Sequence, residues 1–132
     1  YICPELILGE GVDHACDLWA LGVMMHEMYM LRTPFVNEED AGDMDTLFQN
    51  IVHVRLSGSL NLSEHIDSKD GSALAKDLML KLITGEREAR LGYREQSTRS
   101  ILKHAFFNAV NVSAIENQLC VPPYVPPEFE GQ

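Results

Sequence analysis

Apolar residues recur along this chain at helical intervals and nowhere alternate as a half-buried strand would. From His14 to about Met30, Leu18, Leu21, Met25 and Met28 fall on one stripe, and Trp19, Val23 and Met24 widen it. A helix apolar nearly all round belongs inside a domain, so this stretch predicts the core helix. Asp13 stands where a carboxylate can take up free N–H groups of its first turn, and Thr33-Pro34 stops it. Leu47, Ile51 and Val54 predict a helix over 44–54, broken by Ser57-Gly58-Ser59. Leu74, Leu78 and Leu82, with Met79 and Ile83, predict another over 71–84, with Gly85 as its C-cap. A last helix from about Ser97 to Ala109 carries Ile101, Leu102, Phe106 and Phe107. Near the start, Pro4 and the patch Leu6-Ile7-Leu8 predict one helical turn ended by Gly9-Glu10-Gly11. The segments Asn37–Asp45, 59–70 and Glu86–Gln96 read as loops. Val121 to Pro127 holds four prolines in seven residues and predicts an extended arm. The expected fold is mainly α with a proline-rich C-terminal arm.

Composition narrows the possible functions. At 132 residues the chain fits one domain, and 45% hydrophobic with 23% charged residues is ordinary globular usage. The net charge of −10 disfavours nucleic acid, whose phosphates are neutralised by Lys and Arg, and is compatible with steering basic peptides. No run of about 20 apolar residues is present to span a membrane. The three cysteines, Cys3, Cys16 and Cys120, lack metal-ligand spacing. Without a basic leader and a small-residue cleavage site, the expectation is reduced thiols in the cytoplasm. The start at Tyr1, inside what reads as structured sequence, makes a fragment the expectation.

No catalytic set is found. Gly9-x-Gly11 has no third glycine and no preceding strand, so it is not a phosphate cradle. There is no Gly-x-Ser-x-Gly elbow, and the five histidines make no i, i+4 pair. What stands out is a series: Cys3-Pro4-Glu5, then Asp17-Leu18-Trp19-Ala20-Leu21-Gly22, then Pro34-Phe35, then Arg90-Leu91-Gly92. In order and spacing it resembles the eukaryotic protein kinase family. Cys3-Pro4-Glu5 resembles the Ala-Pro-Glu that closes the activation segment, with Cys in place of Ala. Asp17-x-Trp19-x-x-Gly22 resembles the opening of the central helix of the kinase C-lobe. Arg90-Leu91-Gly92, Ile101-x-x-His104-x-Phe106-Phe107 and the Pro-Pro tail are similar to the AGC group, most like its cyclic-nucleotide-dependent (cGMP- or cAMP-dependent) kinases.

The resemblance implies a helical C-terminal sublobe of a kinase fold. Residues 1–107 would be the C-terminal part of the catalytic domain and 108–132 the start of an AGC-type tail. It implies that Glu5 pairs with Arg90, that Trp19 shields the pair, and that Gly22 permits close backbone approach. Asp17 would accept backbone N–H groups of a catalytic loop lying outside this chain; the plainer reading is a helix-start carboxylate favoured by the dipole. Glu27 would read a basic side chain of the substrate peptide, and Tyr1 and Ile2 would border the pocket for the residue after the phosphorylated one. The parent would be a Ser/Thr kinase using ATP and Mg2+. This fragment would bind neither, would be inactive alone, and would have as partners its peptide substrate, the N-lobe and the upstream C-lobe. The alternative is a non-catalytic binding or scaffold module, or a pseudokinase remnant.

Overall fold

The computed structural model describes residues 1–36, 42–58, 60, 62, 72–94, 97–124 and 126–127. It contains helices α1 (Pro4–Ile7), α2 (Ala15–Met30), α3 (Met44–Ser57), α4 (Ser72–Leu82), α5 (Ser97–Leu102) and α6 (Val112–Glu116), and two 3-10 turns, Arg87–Ala89 and Ala105–Phe107. Among the described residues there is no strand, and the fold is mainly α. The predicted loops at 37–41, most of 59–70 and 95–96 lie outside the described residues.

Helix α2 organises the rest. Its start is set by Asp13, whose carboxylate accepts the Ala15 N–H at 2.8 Å. Its end comes at Leu31, ahead of Pro34: Leu31 turns left-handed (φ 57°) while its N–H bonds the Glu27 carbonyl at 2.7 Å. On one flank Leu18 and Met25 pack with Leu78, Met79 and Leu82 of α4 and with Tyr93 and Ile101. On the other, Trp19 and Val23 pack with Cys3, Phe35, Ile51, Val54 and Ile83. Gly22 lets α2 and α4 close together, because a Cβ there would stand 2.7 Å from Ile83 Cγ1 and 2.8 Å from Leu82 Cβ.

The expected apolar stripe of α2 divides. Leu18 and Met25 are buried, but Leu21 and Met28 face outward with Met24 and Leu31. At 100° per residue Leu21 and Met28 lie about 40–80° round the helix from Leu18 and Met25, past the edge of the buried face, and Met24 lies further round.

Other departures have local causes. Gly85 is not a left-handed cap, since α4 ends at Leu82 and Gly85 has no positive φ. It is small because α3 ends against it: a Cβ would press on the Val54 carbonyl and come within 2.8 Å of Arg55 Cα. The single helix expected over Ser97–Ala109 is α5 and a 3-10 turn, interrupted where His104 takes an extended backbone and its ring accepts the Phe106 N–H at 3.2 Å. Helix α3 runs past the predicted end to Ser57 and closes on Gly58 (φ 78°). In the tail, residues 121–124 and 126–127 are in no helix or strand, and Val125 and 128–132 lie outside the described residues.

Candidate functional site

Helix α1 is only one turn long, yet it delivers Glu5 into the interior. Proline at its first position suits a helix start, and Cys3 before it is extended. Glu5 and Arg90 are both buried, with Glu5 Oε1 2.5 Å from Arg90 Nη2. The contact is a charge pair rather than an aligned hydrogen bond, and Glu5 Oε2 has no hydrogen-bond donor among the described residues. The remaining Arg90 donors go to backbone: Nε to the Thr84 carbonyl at 2.8 Å, Nη1 to Ala15 at 2.9 Å and Nη2 to Gly85 at 3.4 Å. The guanidinium lies over the fully buried Trp19 ring, 5.0 Å from its centroid, and Trp19 in turn stacks on Phe35. Burial pushes the Arg90 guanidinium below its ordinary pKa, against the pull of the Glu5 carboxylate. One side chain thus ties α1, the start of α2 and the loop after α4.

At the surface beside this frame the Tyr1 hydroxyl donates to the Glu27 carboxylate. That bond, and to a lesser degree burial and the Glu27 charge, raise the Tyr1 pKa. Glu27 is half-buried on α2 while Tyr1 is exposed, so the pair presents an acidic acceptor at the rim of the molecule. Ile2, partly buried, packs against the cluster around Trp19 and Val23. Asp17 sits exposed in the first turn of α2 and has no side-chain partner among the described residues. Tyr1, Ile2 and Glu27 therefore share one edge, Glu5, Trp19 and Arg90 the interior beneath, and Asp17 stands apart from Glu27 along the same helix. A carboxylate with an adjacent phenol can bind a cation or a guanidinium; it holds no nucleophile and base in reach of one another.

Two groupings escaped the sequence. Asp77 accepts from Lys81 at 2.6 Å and from His104 Nε2 at 2.8 Å. The His104 Nδ1 accepts a backbone N–H, which places the ring proton on Nε2, facing Asp77. The bonds from Lys81 and His104 lower the Asp77 pKa. This set fastens the Ala105–Phe107 turn to α4; the motif around His104 marked the position but not its partner. The second grouping corrects the expectation of free thiols. Cys3 and Cys16 are joined in a disulfide, with Cα atoms 5.4 Å apart, and only Cys120 is free. Their sulfurs and a Glu5 carboxylate oxygen all lie within 4.8 Å of one another. Nothing in a thirteen-residue spacing signals this pairing; it follows from α1 folding onto the start of α2. The cluster does not suit a metal ion, because its carboxylate already carries the Arg90 charge.

The family model described as protein kinase domain matches residues 1–107. The chain is 32% identical over 126 residues to cAMP-dependent protein kinase catalytic subunit 3 of Drosophila melanogaster, covering 96% of this chain and 19% of that protein. It is 30% identical over 127 residues to cGMP-dependent protein kinase, isozyme 1, of the same organism (96% and 15%). It is 34% identical over 130 residues to protein kinase C zeta type of Oryctolagus cuniculus (96% and 20%). The chain spans a fifth or less of the length of these relatives.

Proposed function

The chain belongs to the protein kinase family, and from that premise we propose that it is the C-terminal part of the large lobe of an AGC-group Ser/Thr kinase acting in the cytoplasm. The complete enzyme transfers the γ-phosphoryl of Mg-ATP to Ser or Thr of basic protein substrates. Such a reaction needs a glycine-rich loop, a strand lysine, a catalytic Asp and metal-binding Asp and Asn residues. The residues here do not fit ATP or Mg2+: Gly9 and Gly11 are exposed in the turn between α1 and α2, with no strand before them. No step of the transfer is assigned to this segment. Among the described residues no helix is long and apolar enough to cross a membrane.

The segment's part is to hold and to read. The buried Glu5–Arg90 pair under Trp19 holds the end of the activation segment against the central helix. Asp17, exposed and without a side-chain partner here, is free to accept N–H groups from the catalytic loop of the parent. Glu27 reads a basic residue of the substrate, with the Tyr1 hydroxyl orienting its carboxylate.

The observation that carries this reading is the Tyr1–Glu27 contact, which brings two residues 26 apart in sequence together at the surface. The test uses the complete kinase and a pair of peptides, one with arginines before the target Ser and one with alanines there. Glu27→Gln should raise KM for the arginine peptide about tenfold and leave kcat and the alanine peptide little changed, the pattern of lost ground-state binding. Equal effects on both peptides would remove the substrate role. Failure of the complete protein to turn over ATP would instead favour the scaffold reading, which draws on the absence of any catalytic set among the described residues.

A further inference from the structure

We propose that Cys3 and Cys16 are a reversible redox site: a thiol pair that peroxide closes to the disulfide and that cellular dithiols reopen. Three observations on the molecule carry it. With the bond closed the two Cα atoms stand 5.4 Å apart, inside the ordinary range for a disulfide, so the bond is accommodated by the packing of α1 against the start of α2. Access is unequal: Cys3 is sealed in the core, whereas Cys16 is only partly buried and can meet a small oxidant. The third concerns Glu5. With the bond closed, neither of its buried carboxylate oxygens has a hydrogen-bond donor among the described residues, and one of them lies within 4.8 Å of both sulfurs. Reduction would supply S–H groups, weak donors, beside that orphaned acceptor, so the open state gains a contact that the closed state lacks. Each state therefore has its own compensation: the closed bond shortens the unfolded chain's freedom, and the open thiols satisfy a buried carboxylate.

The chemistry balances with hydrogen peroxide as oxidant. The Cys16 thiolate attacks one peroxide oxygen, the O–O bond breaks, hydroxide leaves and a sulfenic acid forms on Cys16. The Cys3 thiolate then attacks the Cys16 sulfur; the S–S bond forms, the S–O bond breaks, and the second hydroxide leaves. The two thiol protons end in the two waters formed, and the two electrons lost by the sulfurs reduce the peroxide. A dithiol reverses this in two displacements: one thiolate attacks the more exposed Cys16 sulfur and releases Cys3, then its second thiolate attacks its own bound sulfur and releases Cys16, leaving the dithiol oxidised to a cyclic disulfide. A cytosolic protein with such a pair conforms to the general pattern, in which disulfides of that compartment are transient and redox-sensing.

Closure clamps two places of interest. Cys3 follows Tyr1 and Ile2, and Cys16 precedes Asp17, so the bond fixes the substrate-facing edge to the head of the core helix. This consequence rests on the reading of Tyr1, Glu27 and Asp17 under Proposed function; the covalent cycle itself does not.

The experiment has two arms. In the first, the chain is treated with one equivalent of hydrogen peroxide, trapped with an alkylating reagent, digested and read by non-reducing mass spectrometry, with thermal melts alongside. A Cys3–Cys16 linked peptide, reopened by dithiothreitol, and a Tm higher by about 10 °C in the oxidised chain are expected. Cys120→Ser should leave both unchanged, and Cys3→Ala, the residue the family carries there, should abolish both. Alkylation of Cys3 and Cys16 after peroxide, linkage through Cys120, or a bond that dithiothreitol cannot open in the folded chain would each overturn the proposal. In the second arm, the complete kinase is assayed oxidised and reduced. Covalent cycling with an altered peptide KM supports the coupling. Cycling with unchanged KM removes the coupling and leaves the redox site, and cycling in a protein without phosphotransfer counts against the kinase reading alone.

Discussion

Arg90 is the residue on which most of the interior depends. It places one charge against Glu5, three hydrogen bonds on the Thr84, Ala15 and Gly85 carbonyls, and a flat face on Trp19. Removing one partner strands the other, so Glu5→Ala and Arg90→Ala should each destabilise by about 3–5 kcal/mol. Urea titration of the double mutant should show a loss well short of the sum, since the second substitution removes the charge the first left unpaired. Additive losses would mean that the two act separately. The glycines give a second residue-scale test. Gly22→Ala should cost about 1–3 kcal/mol by overpacking α2 against α4. Gly85→Ala should cost more, because its added methyl meets backbone of α3 that cannot rotate away; urea melts that rank Gly22→Ala as the worse would refute the assignment. At this scale the sequence was informative about Glu5, Trp19, Gly22 and Arg90 through their motif spacing. It was silent about Gly85, read as a cap, because a close approach between two helices leaves no periodic mark.

Among the elements, boundaries are set by single polar or strained residues. Asp13 caps the head of α2 and Asp43 that of α3, where it accepts the Asp45 N–H at 3.2 Å and the Thr46 hydroxyl. The bonds each receives hold both carboxyls below the usual value of 3.8, the Ala15 N–H leading for Asp13 and the Thr46 hydroxyl for Asp43. Asp77 is lowered likewise, chiefly by Lys81. With folded pKa values depressed, all three contributions are fully present above the unfolded value and are lost as pH falls through the folded ones. Thermal melts between pH 5 and 2 should therefore show a steeper acid loss for the wild type than for an Asp13→Asn/Asp43→Asn/Asp77→Asn variant; parallel curves would refute the assignment. Leu31 ends α2 in a left-handed conformation with its side chain 91% exposed. Leu31→Gly should stabilise the chain by about 1 kcal/mol in urea titration. The existence of α2, α3 and α4 was legible from periodicity, whereas the short α6 was missed and the break at His104 depends on its own ring bonding backbone, which no hydrophobic pattern encodes.

Across the whole molecule the unevenness of α2 is the main feature. Leu21, Met24, Met28 and Leu31 form an exposed apolar stripe that no described residue covers. An uncovered apolar stripe of this kind is a surface prone to association. The isolated chain should self-associate, and Met24→Lys/Met28→Lys should shift its sedimentation towards monomer without lowering its Tm; unchanged association would place the contact elsewhere. Sequence patterning marked α2 as interior all round, because it counts apolar residues without knowing which neighbour is present. The long reach of Arg90 also governs timing. Its bond to the Ala15 carbonyl closes a loop of 75 residues, an entropic cost met only after the helices between have formed. Contacts that arrive after the folding barrier leave the folding rate untouched and appear in the rate of escape. In stopped-flow kinetics Arg90→Ala should speed unfolding a hundredfold or more, roughly, while refolding slows only slightly. Arg90 is then a brake on leaving the native state, and the lifetime of the fold, more than its speed of assembly, is what this one guanidinium sets.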